Sequence, residues 1–227
     1  RADYNPPSAT NAPTSSELPR YYVPGSTGGL RLISAEAVSR FPDGIKFNLS
    51  AGSSAGIDSI RGFFRKATVA GRRTYRKMEL EPGIQVTANV MLPSGSAGDY
   101  FPPGTTIEYE FEVRDKLGSI LRTDPQTFVY KDNRFEWKTI TDGSATVFFY
   151  GSGDIEAAHT VVDAAQQAIS RIASLLGVST TEPVRILVYK TYSELAGALP
   201  FRSQAVSEGL QTQNMAFSGE QVLLIGE

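Results

Sequence analysis

Ile107-Glu108-Tyr109-Glu110-Phe111-Glu112-Val113 alternates large apolar and acidic side chains without a break. A period of two is what a strand requires when one face is buried and the other meets water, because successive side chains leave a pleated backbone on opposite sides. The same period recurs on both sides of this stretch. Gly44 to Ala51 places Ile45, Phe47 and Leu49 on one face, and Ile84 to Leu92 does the same with Ile84, Val86, Ala88 and Val90 or Leu92. Turn-forming residues separate the runs: Pro42-Asp43-Gly44, Pro82-Gly83, Pro102-Pro103-Gly104 and Asp115-Lys116-Leu117-Gly118.

With Leu32 to Val38, Ile57 to Thr68, Arg73 to Leu80 and Ile120 to Tyr130 added, residues 30–135 read as about seven short strands and no helix. That pattern predicts an all-β sandwich of the fibronectin type III or immunoglobulin kind. The Cys and Trp pins of immunoglobulin domains are absent from this stretch, which favours the fibronectin kind.

After Trp137 the period changes. Ala145 to Tyr150 reads as one strand, and Ile155, Ala158, Val162, Ala165, Ile169, Ile172 and Leu176 then recur at helical spacing over about six turns, up to Gly177. Val184 to Tyr189 is an apolar run suited to a central strand, and Thr191-Tyr192-Ser193-Glu194 opens a second helix with a capping box that ends before Pro200. Gly209 to Phe217 and Gln221 to Ile225 predict a hairpin across Ser218-Gly219. Residues 136–227 are thus expected to form a partial α/β subdomain. Residues 1–29, rich in Pro, Ser and Thr, are expected to be a disordered linker, since they carry too few large apolar side chains to offset the entropy of ordering. The chain closes on Leu223-Leu224-Ile225-Gly226-Glu227, a strand followed by a turn, and the expectation is that it continues.

Composition narrows the function classes. A formal charge of −2 supplies no general attraction to nucleic acid, and no apolar run is long enough to insert into a membrane. The chain has no cysteine, which excludes disulfides, thiolate ligands and a cysteine nucleophile. Its single histidine, His159, sits at the border of the helical stripe one turn from Asp163, where an ordinary exposed helix residue is expected. With one histidine there is no H-E-x-x-H pair for zinc.

Gly52-Ser53-Ser54-Ala55-Gly56 fits the G-x-S-x-G nucleophile elbow, but that elbow needs a helix after the serine, and Ile57 to Phe64 reads as a strand. A small-residue loop is expected instead. Arg61, Arg65, Lys66, Arg72, Arg73, Arg76 and Lys77 form a basic run. It is expected to pair across strands with Glu108, Glu110 and Glu112, with binding of an anionic polymer as the alternative. Tyr21, Tyr22, Tyr100, Phe101 and Trp137 are candidates for glycan stacking, although Trp137 is expected to pack where the period changes. Asn48-Leu49-Ser50 is a glycosylation sequon inside a strand.

Two segments together resemble a known family. The first is Phe101-Pro102-Pro103-Gly104-Thr105-Thr106-Ile107-Glu108-Tyr109, running on through Thr127-Phe128-Val129-Tyr130-Lys131-Asp132 to Phe135-Glu136-Trp137. The second is Val147 to Gly153 with its long helix, Gly177, Pro183-Val184-Arg185-Ile186-Leu187-Val188-Tyr189 and Leu199-Pro200. Their order resembles the region that precedes H-E-x-x-H in the peptidase MA-like family of gluzincin zinc metallopeptidases. The resemblance implies an exported bacterial protein, extracellular or in the cell envelope, of which this chain is the non-catalytic N-terminal part. It implies no catalytic, cofactor or metal residue here, so the chain as given is not expected to be an enzyme. Zinc is expected only in the missing C-terminal part of the parent, and that part and a peptide or protein substrate are the expected partners. The last strand, Val222, Leu223, Leu224 and Ile225, is expected to line the substrate edge by β-augmentation. The rival expectation is a cell-surface interaction module that binds a protein or an anionic polymer through the sandwich.

Overall fold

The computed structural model describes residues 29–71, 73–95, 99–151, 155–177, 183–200 and 213–226. The linker read in residues 1–29 and the first part of the Gly209–Phe217 run therefore lie mostly outside the described residues, as do Tyr21, Tyr22 and Arg72.

The alternating runs fold into two sheets. Strands β1 (Arg31–Arg40), β2 (Gly44–Gly52) and β5 (Gln85–Pro93) form one antiparallel sheet in the order β1-β2-β5. Strands β3 (Ile57–Lys66), β4 (Thr74–Lys77), β6 (Thr106–Asp115) and β7 (Ile120–Arg122) form the other in the order β4-β3-β6-β7, and β8 (Gln126–Val129) also pairs with β6. Ile45, Phe47, Leu49 and Ala51 from one sheet meet Ile60, Phe64, Ile107, Phe111 and Val113 from the other in a single apolar core. The result is a β-sandwich. Each such side chain removed from water contributes about 1.5–3 kcal/mol, which is why strict alternation on β2 and β6 fixes their faces. Phe47 sits at the centre, with its ring centroid 4.7 Å from that of Phe64 and 4.9 Å from that of Tyr109.

The run from Ile120 to Tyr130, expected as one strand, is two. Pro125 has no N–H for a ladder, and the chain breaks at Thr123-Asp124-Pro125 before rejoining β6 as β8.

The sheet of the second unit has the order β12-β13-β11-β10-β9. Its members are β9 (Lys138–Asp142), β10 (Ala145–Phe149), β11 (Val184–Tyr189), β12 (Asn214–Phe217) and β13 (Val222–Gly226). β10, β11 and β13 run parallel, while β9 and β12 are antiparallel at the two margins. The sequence does not announce β9, because only Ile140 is apolar in Lys138–Asp142. The α-helix α1 (Ile155–Leu176) crosses over β9 and β10, and the short helix α2 (Tyr192–Ala196) lies on β11 and β13. Thr191 caps α2, its hydroxyl accepting from Glu194 N at 3.3 Å. Gly177 follows α1 at φ +64°, the left-handed position a helix-ending glycine adopts.

Only part of the helical stripe is buried. Ala158 and Val162 are enclosed and Ala165 and Ile169 half-buried, whereas Ile155, Ile172 and Leu176 are exposed. The helix of 22 residues is about 33 Å long, and the five-residue strand beneath it spans about 17 Å, so its ends outrun the sheet.

The sandwich docks against this sheet at one end. Gly104, in the loop before β6, has φ +95°, and a Cβ there would lie 2.7 Å from Leu187 Cδ1 and 3.3 Å from Val222 Cγ2. Glycine at this position lets the loop backbone touch β11 and β13. Tyr100 donates its hydroxyl to Ala198 O and packs on Phe217, Thr68 donates to Gly219 O, and Lys66 pairs with Glu220.

Candidate functional site

The strand expected to line a substrate edge is interior. Arg185 to Tyr189 of β11 pairs with Val222 to Gly226 on one side of β13, and Asn214 to Phe217 of β12 pairs with Val222 to Ile225 on the other. Both backbone edges of Val222, Leu223, Leu224 and Ile225 are therefore occupied. Their side chains are packed as well, Val222 and Leu224 against Phe148 and Leu187, and Leu223 and Ile225 half-buried on the α1 side. The edge role read from the sequence cannot belong to β13, because β-augmentation needs unpaired N–H and C=O groups. A hairpin at a sheet margin leaves either strand as a candidate edge, and the parallel pairing of β13 with β11 settles which one is covered.

The margin belongs to β12. Among the described residues β12 pairs with β13 alone. Gly226 N donates to Gln213 O at 2.8 Å, which sets the alternation of the antiparallel ladder and turns the backbone groups of Asn214 and Ala216 away from β13. Phe217 is half-buried against Tyr100, and Asn214 and Ala216 are exposed. The outward backbone edge of β12 thus lies beside the place where the hairpin turn meets the sandwich.

Behind this margin, the joint between the two units holds a polar cluster. Asp132 is fully buried. Its carboxylate accepts from Arg134 Nε at 2.9 Å and Nη2 at 2.6 Å and from the Tyr189 hydroxyl at 3.1 Å. Trp137 donates Nε1 to Asp132 O, and its indole packs edge-on against Tyr150 and Tyr189, the packing expected where the period changes. The Arg134 guanidinium lies 4.8 Å from the centroid of Phe41 and donates to Glu194 O. Tyr150 donates to Glu194 Oε2 and accepts from Lys190 N.

Burial, then the Asp132 charge, pushes the Tyr189 phenol far above its ordinary range, and burial raises Tyr150 to about 12. Bonding to Asp132 raises Arg134. Phenols held protonated this firmly donate hydrogen bonds and do not serve as bases near neutral pH. The cluster is suited to locking the two units together.

The G-x-S-x-G loop joins β2 to β3, with a strand on each side and no helix, as expected. Ser53 is buried and donates to Asp115 Oδ2 at 3.1 Å, and Asp115 also accepts from Leu117 N and Ser119 N. Burial pushes this carboxyl upward, but the donors outweigh it and hold it below the usual carboxylate range. Ser53 therefore clips one turn to another. His159 is exposed on α1, in the other unit.

The basic run meets the acidic row of β6. Arg65 forks onto Glu108 at 2.8 and 2.6 Å, Arg73 reaches Glu108 and Glu110, and Arg61 and Arg122 flank Glu112. These pairs engage Arg61, Arg65 and Arg73 of the basic run with the acidic face of β6, the cross-strand pairing expected for them. Asn48 of the sequon lies in the central strand β2, paired to both neighbours. Phe101 is buried in the sandwich core. Among the described residues no group of three or more His, Cys, Asp or Glu could hold a metal ion, so these side chains do not fit a zinc site.

No family model matches the chain, and no curated protein matches it. A solved structure, the crystal structure of a Br derivative of BhCBM56, is 15% identical, covers 42% of this chain and 88% of its own, and superposes with a TM-score of 0.28.

Proposed function

We propose that this chain is the non-catalytic front part of an exported gluzincin-like metallopeptidase of the peptidase MA-like kind. In this reading the sandwich, of the fibronectin type III kind with three strands facing five, is the scaffold that positions the sheet of the second unit. That sheet offers β12 as the edge along which an extended peptide lies. The observation that carries the reading is the margin itself: an antiparallel strand bordering the parallel set β10, β11 and β13, with the Asn214 and Ala216 backbone groups turned outward, no further strand beside it among the described residues, and its turn tied to the sandwich. Such an edge binds peptide backbone of any sequence, with selectivity left to the side-chain pockets beside it.

No zinc chemistry is assigned to these residues, since the described side chains do not fit the metal. The gene provides the test. The codons downstream of Glu227 are expected to encode H-E-x-x-H followed by a further Glu; their absence removes the peptidase reading and leaves a surface interaction module.

A further inference from the structure

Strand β4 carries a cation on its inner face. Its register sets Thr74 opposite Phe64 and Arg76 opposite Gly62, whereas Tyr75, opposite Phe63, is 66% exposed. Phe64 is in the core, so alternation puts Arg76 on the core side of its strand. β4 and β5 are the margins of the two facing sheets, and Glu79 just beyond β4 bridges to Asn89 of β5. Arg76 therefore enters the gap between the sheets from their shared open side.

That gap is a cavity of about 160 Å³, lined by Phe64, Leu92, Phe101 and Ile107 on its apolar side and by Arg76 on its polar side. Arg76 Nε is shielded from solvent and has no hydrogen-bond partner among the described residues, an arrangement that costs free energy unless an acceptor arrives. The other cations in the wall are already engaged, Arg65 by Glu108 and Lys66 by Glu220. Asp99 stands exposed at the rim, and no ion pair joins it to Arg76 among the described residues. An inward charge on an edge strand also discourages pairing between molecules. That role requires neither a roomy cavity nor an unpartnered, enclosed Nε.

We propose that this cavity is a binding site for a small monocarboxylic acid whose apolar body is about the size of one aromatic ring. The carboxylate would accept from the Arg76 guanidinium in a charge-assisted bond, and the ring would lie against Phe64, Leu92, Phe101 and Ile107. A cavity of about 150 Å³ accommodates benzene, so the volume suits one ring. The site is separate from the β12 edge and does not depend on the peptidase reading.

Benzoate at neutral pH is the probe, titrated into the full chain labelled on its methyl groups and followed by NMR. Saturable shifts are expected at the Leu92 and Ile107 methyls with a dissociation constant of about 1 mM, and benzamide, which lacks the charge, is expected to bind about tenfold or more weakly. Arg76→Gln is expected to weaken benzoate by about tenfold or more, with a circular dichroism spectrum matching the parent. Leu92→Trp, which fills the cavity and keeps the arginine, is expected to abolish the shifts. No shift at these methyls, equal binding of benzamide, or undiminished binding by either variant overturns the proposal. Should Arg76→Gln fail to fold, the benzamide comparison on the parent chain and the Leu92→Trp variant still decide it.

Discussion

Replacing Gly104 with alanine tests the docking of sandwich on sheet at a single atom. The residue has φ +95°, a conformation that costs an L-residue about 1–2 kcal/mol. The added Cβ would also lie 2.7 Å from Leu187 Cδ1, and Leu187 is buried, so relieving the clash displaces packed atoms for about 1–3 kcal/mol more. The total of about 2–5 kcal/mol corresponds to a fall in melting temperature of roughly 5–15 °C for a chain of this size.

Gly118 is the control. It has φ +84°, and a Cβ added there would meet nothing within 4 Å, so Gly118→Ala is expected to cost only the backbone part, about 1–2 kcal/mol. Thermal unfolding followed by circular dichroism measures both. Leu187→Val removes the opposing Cδ1, so in the Gly104→Ala background it is expected to recover part of the loss, a non-additivity that isolates the contact. Equal shifts for the two glycine variants, or strict additivity with Leu187→Val, would refute the docking of the Gly104 loop on β11 and β13.

Asp132→Asn leaves the Arg134 guanidinium without its buried counter-charge and is expected to lower stability by about 3 kcal/mol in urea titrations. Acid is expected to destabilise the fold. The carboxyls of Glu108, held down by the Arg65 hydrogen bond, and of Asp115, held down by its donors against burial, are both depressed in the folded state. Their contribution is complete above the unfolded carboxylate range near pH 4 and is lost as pH falls through the lower folded values. Stability measured from pH 7 downward should therefore hold to about pH 5 and decline below, and less steeply in Asp115→Asn. A serine-directed fluorophosphonate is expected to leave Ser54 unlabelled, since no helix follows it and His159 lies on α1; covalent labelling detected by mass spectrometry would reinstate the hydrolase reading.

The sandwich is legible in the sequence because burial on one face forces alternation, and the apolar side chains of β2, of β6 from Ile107 to Val113 and of β5 up to Val90 fall at every second position. The long helix and its glycine stop are legible for the corresponding reason at helical period. The ion pairs of β6 follow from the alternation too, as the glutamates and the basic side chains fall on the same outer face. β9 is not legible, because a marginal strand with one half-buried side chain leaves almost no apolar signal. The division of β7 from β8 depends on how Pro125 bends a chain that keeps the same partner strand.

The edge is hidden for a different reason. Local sequence marks Gly209 to Phe217 and Gln221 to Ile225 as a hairpin, but which strand joins β11 is decided by pairing partners distant in the chain. Arg76 reads as one of a basic run, and only its register opposite Gly62, with Phe64 two residues on in β3, shows that it faces inward.

We propose β12 as the edge along which an extended peptide lies. A crystal structure of the gene-extended protein with a peptidic inhibitor tests it most directly. Inhibitor backbone is expected to pair with β12 through the N–H and C=O groups of Asn214 and Ala216. An inhibitor bound away from β12, making no backbone pair with Asn214 or Ala216, would overturn the reading.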